Sequence, residues 1–232
     1  MIVFEDVFMS YPTRHGRRIV LDTLNMVFDT SKSIGILGLN GAGKSTLLSL
    51  MAGGLLPERG RIRRKVNVSF PLGYSGCFAP NMTGRQNAEF LARVYGYNVR
   101  EVVEFVEAFA ELGEYFDEPT RTYSSGMHSR LAFGASMALR FDVYLVDEGF
   151  GAGDARFRAR CEAMFNSRLK HTRMILVSHD PTMMLTYCQA GATLADGKLT
   201  YFDNIKDAVA CYNQIVAAPS NILKEFRGDD RA

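Results

Sequence analysis

Apolar and polar residues alternate along residues 1–9 and 19–28, through Ile2, Phe4 and Val7 and then Val20, Leu24, Met26 and Phe28. A period of two predicts strands with one buried face, and the polar stretch between them, residues 11–18, predicts a turn. SIGILG at residues 33–38 is a short buried strand by its Ile34, Ile36 and Leu37. The period then changes: in KSTLLSLMAGGL, Leu47, Leu48, Met51 and Leu55 share one helical face, and Gly53-Gly54 stops the helix. Further strands are predicted over residues 60–72, and mostly helix over 84–116, where AEFLARVYG and EVVEFVEAFAELG repeat apolar residues at i, i+3 and i+4. FDVYLVDE and RMILVSHD read as buried strands, GATLADGKLTYFD as a hairpin around Asp196-Gly197, and residues 205–217 as a last helix before a loose tail from residue 219. Apolar strands separated by helices predict an α/β core, with residues 84–140 as an inserted helical lobe.

Composition narrows the class. The 232 residues are 47% hydrophobic with a net charge of +2, enough for one large domain and without the basic excess of a nucleic-acid binder. The N-terminus lacks the basic-then-apolar layout of a signal peptide, and no apolar run approaches the roughly 18 residues of a membrane span, so no transmembrane segment of its own is expected. Cys77, Cys161, Cys188 and Cys211 are far apart and read as thiols of a reducing compartment, not as a zinc site.

The chemistry begins with GLNGAGKST at residues 38–46, which satisfies G-x-x-x-x-G-K-[ST] between a strand and a helix. Gly38, Asn40, Gly41, Ala42 and Gly43 make a loop whose N–H groups can face phosphate oxygens, with the helix N-terminus adding its positive dipole end. Lys44 reaches the β- and γ-phosphates, Ser45 can ligate Mg²⁺, and Thr46 closes the cradle. This predicts binding of a nucleoside triphosphate.

VYLVDE, residues 143–148, supplies the complement. An apolar strand ending in carboxylate places Asp147 where it can hold Mg²⁺ through water, and Glu148, on the opposite side of the strand end, where it can polarise an attacking water. His179 ends the strand in LVSHD, at the sheet edge where ligands of open α/β folds sit, and a neutral imidazole there can bond the γ-phosphate or the water. His15, His128 and His171 read as structural or surface residues.

In order and spacing, GLNGAGKST, YSSGM, VYLVDE, GAGD and SHD resemble the nucleotide-binding subunits of ABC transporters, from about Val3 to Asp203. The resemblance implies a P-loop NTPase (RecA-like) core, an N-terminal antiparallel β subdomain and an inserted α-helical subdomain, together spanning residues 1–218. It implies an ATPase using ATP and Mg²⁺, working as a homodimer with composite sites. Ser124, Ser125 and Gly126 would complete the ATP site of the opposing copy, where Ser124 is a good helix N-cap and Gly126 permits close approach. Tyr11 matches the aromatic that stacks on adenine, and Asp154 the aspartate that meets the other subunit. Catalytic roles fall on Glu148, His179 and Lys44, metal ligation on Ser45 and Asp147.

Two departures sharpen the resemblance. Ser125 and Met127 replace a glycine and a glutamine of the usual Leu-Ser-Gly-Gly-Gln. The family's glutamine that links metal and water to the membrane partner is not evident: Tyr74 or Ser75 falls near its position, and Gln86 lies too far downstream. YSSGM, FPLGYSG with TGRQN, and YLVDEGFGAGD together resemble the ATP-binding subunits of bacterial capsule polysaccharide exporters. That implies a polytopic membrane permease as partner and a peripheral position on the cytoplasmic face of the inner membrane. An O-antigen, teichoic-acid or other exporter subunit, or a soluble non-transport ABC ATPase, stays open as an alternative. The basic run of residues 61–65 reads as a solvated strand face, as do Arg156, Arg158 and Arg160 on the next helix.

Overall fold

The computed structural model describes residues 1–14, 16–72, 76, 78–147 and 154–217. Glu148, Tyr74, Ser75, Cys77, His15 and the tail from residue 219 lie outside the described residues.

Two strands, β1 (Ile2–Thr13) and β2 (Gly16–Phe28), form a long antiparallel hairpin, and β4 (Arg59–Arg64) pairs with β1 on its other edge. The polar stretch of residues 11–18 is therefore mostly strand: Tyr11 pairs with Arg18, Pro12 with Arg17 and Thr13 with Gly16. The predicted turn was too long because this end of the hairpin exposes residues on both sides, which erases the alternation. On β4 the basic residues are engaged: Arg61 and Arg63 pair with Glu5, and Arg64 donates to the carbonyls of Met51 and Leu50 at the end of α1.

A second sheet of six strands runs in the order β5-β6-β7-β3-β8-β9. Here β3 is Ile34–Leu37, β5 Val68–Leu72, β6 Val143–Asp147, β7 Arg173–Ser178, β8 Ala190–Ala195 and β9 Lys198–Phe202. The first five are mutually parallel, and β9 returns antiparallel through Asp196 and Gly197, both at positive φ. Such strands are covered on both faces, which is why they read as continuous apolar runs. On β6 and β7, Val143, Leu145, Ile175 and Val177 join one core with α1 (Lys44–Ala52) and the hairpin sheet. Tyr144, Val146, Met174 and Leu176, one residue out of phase, join the other core. That core is closed by α4 (Ser125–Ala138), α5 (Ala155–Leu169), α6 (Pro181–Tyr187) and α7 (Ile205–Ala217).

Between β5 and β6 the chain leaves the sheet to form α2 (Gly84–Val94), α3 (Val99–Ala110) and α4. The fold is thus the expected one: a parallel core, an N-terminal antiparallel sheet and an inserted helical unit. Short α6 has no periodicity to betray it, although Asp180-Pro181 supplies its cap and first residue. Cys161 and Cys188 are buried free thiols, both pushed up to about 12 by burial, and Cys211 is half-buried. Among the described residues, no helix is long and apolar enough to cross a membrane.

Candidate functional site

Register fixes the site. Strand β7 lies between β3 and β6, with Leu37 opposite Ser178 and Asp147 opposite Val177. The C-terminal ends of three neighbouring strands therefore stop together, and they deliver Gly38, Asp147 and His179 to one edge of the sheet. His179 is exposed there, just beyond buried Ser178, whose hydroxyl accepts the N–H of Asp180.

The loop after β3 turns on glycines. Gly41 and Gly43 have φ of 79° and 104°, in the left-handed region that a side chain disfavours. A Cβ on Gly43 would lie 2.1 Å from Cγ1 of Val20 on β2, so the hairpin packs directly on the loop. Helix α1 then starts with Gly43 as its cap, with no side-chain capping bond and no acidic residue in its first turn. Its first N–H groups are left for an anion. Lys44 is 7% exposed, and its Nζ donates to the carbonyls of Gly38 at 2.9 Å and Leu39 at 3.2 Å, so the ammonium is held across the mouth of the loop.

Around this loop lies a cleft of about 840 Å³. It brings together Tyr11, Asn40, Gly41, Gly43, Lys44, Ser45, Thr46 and Asp147, all singled out in the sequence. Tyr11 stands on the hairpin with its hydroxyl 3.4 Å from Oγ1 of Thr46. Among the described residues, Lys44 and Arg18 are the cations of the lining and Asp147 its carboxylate, a balance suited to a polyanion. Gly38 and Ala42 support the loop from behind: a Cβ on Gly38 would meet the Leu194 carbonyl at 2.7 Å, and Ala42 N–H donates to Leu39. Arg18 was missed in the sequence. The available signal was its neighbour Arg17, since on a strand the two must point to opposite faces.

Ser124, Ser125, Gly126 and Asp154 do not line this cleft. Ser124 is the N-cap of α4, its Oγ accepting the N–H of Met127 at 3.2 Å. Ser124 and Ser125 are exposed, and around Gly126 a Cβ would meet only the Ser124 hydroxyl, at 3.9 Å. Tyr123 anchors this surface: it is buried, its hydroxyl donates to the Tyr115 carbonyl at 2.6 Å, and burial raises its pKa above the usual phenol value. Gly84 makes room for that ring, because a Cβ there would lie 2.5 Å from the Tyr123 hydroxyl. Asp154 caps α5 by accepting the N–H of Phe157 at 2.9 Å.

Gln86 has a structural task. Thr83 and Gln86 form a reciprocal capping box at the start of α2, which uses the Gln86 side-chain oxygen. Next to it, buried Asn87 bonds the N–H and carbonyl of Ala79 and the carbonyls of Met82 and Thr83, closing the loop before α2.

A buried strand, a left-handed glycine loop and a helix carrying a buried lysine, beside a strand-end aspartate, define a P-loop nucleotide-binding protein. The ABC transporter family model matches residues 21–151. The chain is 42% identical to the polysialic acid transport ATP-binding protein KpsT of Escherichia coli, over 92% of this chain and 99% of that protein. It is 41% identical to the capsule polysaccharide export ATP-binding protein CtrD of Neisseria meningitidis serogroup B, over 93% of this chain and all of that protein. An O-antigen export system ATP-binding protein, RfbB of Klebsiella pneumoniae, is 30% identical over 87% and 84% of the two chains. Among solved structures, the ATP-binding cassette MJ0796, dimeric in a post-hydrolysis state with ADP and Pi, superposes with a TM-score of 0.68 at 19% identity, covering 87% of this chain and 98% of that one. The chain belongs to the ABC transporter family, and its activity class is that of the family's ATP-hydrolysing cassette.

Proposed function

We propose that the protein is the ATP-hydrolysing subunit of an ABC exporter of capsule-type polysaccharide, acting as a homodimer with two composite ATP sites. The observation that carries the substrate class is near-full-length identity of 41–42% to relatives named for polysialic acid transport and capsule polysaccharide export.

One copy's cleft takes the triphosphate: Tyr11 receives the adenine, the loop from Gly38 to Gly43 surrounds the phosphates, and Lys44 turns its ammonium from backbone carbonyls to the β- and γ-phosphates. The other copy brings Ser124, Ser125, Gly126 and the start of α4 against the γ-phosphate, with Asp154 at the subunit boundary. That a single chain's cleft excludes these residues supports a composite site. Glu148 orients the attacking water, while His179 and Lys44 stabilise the transferring phosphoryl group. Ser45 and Asp147 line the same cleft with hard oxygen donors, a set that fits Mg²⁺. Bound there, Mg²⁺ would neutralise charge on the β- and γ-phosphates. A polytopic permease docks near residues 72–90 and holds the subunit at the cytoplasmic face of the inner membrane.

The experiment is twofold. Glu148→Gln should slow ATP turnover by roughly 10²–10⁴-fold and accumulate an ATP-bound dimer on size exclusion with light scattering. Adding Ser124→Arg should abolish that dimer while ATP still binds. A Glu148→Gln protein that stays monomeric with ATP and turns over normally defeats the composite-site reading. Restoration of surface polysaccharide in Escherichia coli lacking KpsT tests the substrate class, and a failure there with intact ATPase activity points to another cargo.

A further inference from the structure

Among the residues around the cleft, Arg18 has no assigned task. Tyr11 and Arg18 are direct cross-strand partners in the hairpin, so their side chains leave the same face. That face looks onto the loop: Tyr11 reaches Thr46 on one side, and Arg18 Nη2 donates to the Gly41 carbonyl at 2.6 Å on the other. Gly41 lets the guanidinium lie close, since a Cβ there would come within 3.1 Å of Nη2. Arg17, on the opposite face, is held by an ion pair: Nη2 meets Glu58 at 2.5 Å and Nε donates to Ser10 at 2.8 Å. Arg18 is exposed and makes no ion pair among the described residues, giving one of its five N–H donors to a neutral carbonyl.

We infer that Arg18 is a second cationic anchor of the nucleotide and binds its α-phosphate. This rests on the proposed seating of adenine on Tyr11 and of the β- and γ-phosphates on Lys44. A nucleotide laid between those ends carries its α-phosphate past the cross-strand partner of Tyr11 and past Gly41. A planar guanidinium already aimed at that loop exchanges a carbonyl for a charged oxygen pair, the acceptor it binds most strongly.

Calorimetric titration of ATP and of ADP into the full-length protein tests it, with Arg18→Ala, Arg18→Gln, Arg18→Lys and Lys44→Ala compared and thermal melts confirming folding. Because ATP and ADP share the α-phosphate, Arg18→Ala should weaken both by the same factor, roughly tenfold or more. Arg18→Lys should recover part of the loss and Arg18→Gln none. Gln keeps a neutral donor for the Gly41 carbonyl, so full recovery with Gln would make Arg18 a loop prop and overturn the assignment. Unchanged affinity in Arg18→Ala, or a loss confined to ATP, would also overturn it. Lys44→Ala should weaken ATP more than ADP. If it binds both as the unaltered protein does, the reading of the cleft fails, independently of Arg18.

Discussion

Arg130 Nη2 and Asp154 Oδ2 meet at 2.7 Å, joining the second turn of α4 to the cap of α5. The guanidinium also lies over the Phe157 ring, 4.7 Å from its centre, with its Nη1 3.8 Å from Glu111. Glu111 pairs in turn with Arg160, which stacks on Phe109 and donates to the carbonyls of Ala108 and Phe109. The ends of α3, α4 and α5 are thereby held as one block, and two surfaces expected to face a second copy, Ser124–Gly126 and Asp154, move together. Of Arg156, Arg158 and Arg160 on α5, Arg160 is thus structural and not part of a solvated face.

From this block comes a pH-dependent prediction. The Phe157 N–H is the main influence holding the Asp154 carboxyl below the usual carboxylate range, and Arg130 assists against the opposing effect of desolvation. A depressed native pKa gives stability that is present above the unfolded value, about 3.9, and is lost as pH falls through the native value. Asp154→Asn keeps a capping oxygen but loses the charge. Its thermal stability should therefore lie below that of the unaltered protein at pH 7, and the gap should close below about pH 4. Arg130→Ala should reduce ATP-dependent dimerisation of the Glu148→Gln protein, read by light scattering, without weakening ATP binding to the monomer.

Asn87 predicts a large local cost. Four bonds converge on one side chain that is 1% exposed; truncation leaves the Ala79 N–H without its acceptor, while the carbonyls of Ala79, Met82 and Thr83 keep their backbone donors. Asn87→Ala should lower unfolding free energy by about 2 kcal/mol, measured as a shift of the denaturant midpoint at unchanged slope. Asn87→Asp restores the acceptor for Ala79 N–H but faces three carbonyls with a carboxylate, so it should be no better.

Gln86 separates structure from catalysis. Its side chain completes the capping box with Thr83, so Gln86→Ala should cost about 1 kcal/mol of stability. ATPase rate should remain within about twofold of the unaltered protein, the scale of a change that leaves transition-state contacts intact. A drop of two orders of magnitude in turnover with normal stability would instead give Gln86 the metal-linked role.

What could be read in advance follows from how local the signals are. The loop from Gly38 to Thr46 and the helix stop at Gly53 are short-range backbone chemistry, and the Asp196-Gly197 turn and the helix over residues 205–217 are fixed by adjacent residues. Each stands where the sequence placed it. The pairing of Arg130 with Asp154 spans 24 positions and depends on how α4 and α5 pack, so neither residue announces it. Asn87 looks like any helix residue until the loop before it folds back. Arg18 was hidden because its polar surroundings read as turn, whereas cross-strand pairing with Tyr11 makes it part of the cleft. Glu148 and Tyr74 lie outside the described residues, and the role of Glu148 is tested by the Glu148→Gln variant.

Gly43 permits the most stringent test of how the hairpin shapes the loop. An alanine there meets two separate penalties. Its φ of 104° is unfavourable for any side chain, a cost of about 1–2 kcal/mol, and its Cβ would sit 2.1 Å from Val20 Cγ1. Gly43→Ala should therefore lower the melting temperature and displace β2 from the loop, weakening ATP binding as well. Adding Val20→Ala removes the clash but not the backbone strain. The double variant should regain part of the affinity lost by Gly43→Ala, while Val20→Ala alone is mildly destabilising by opening a small void. This non-additivity is the signature of two side chains competing for one space. If the two effects simply add, hairpin and loop are energetically independent, and contact with β2 does not set the loop's shape.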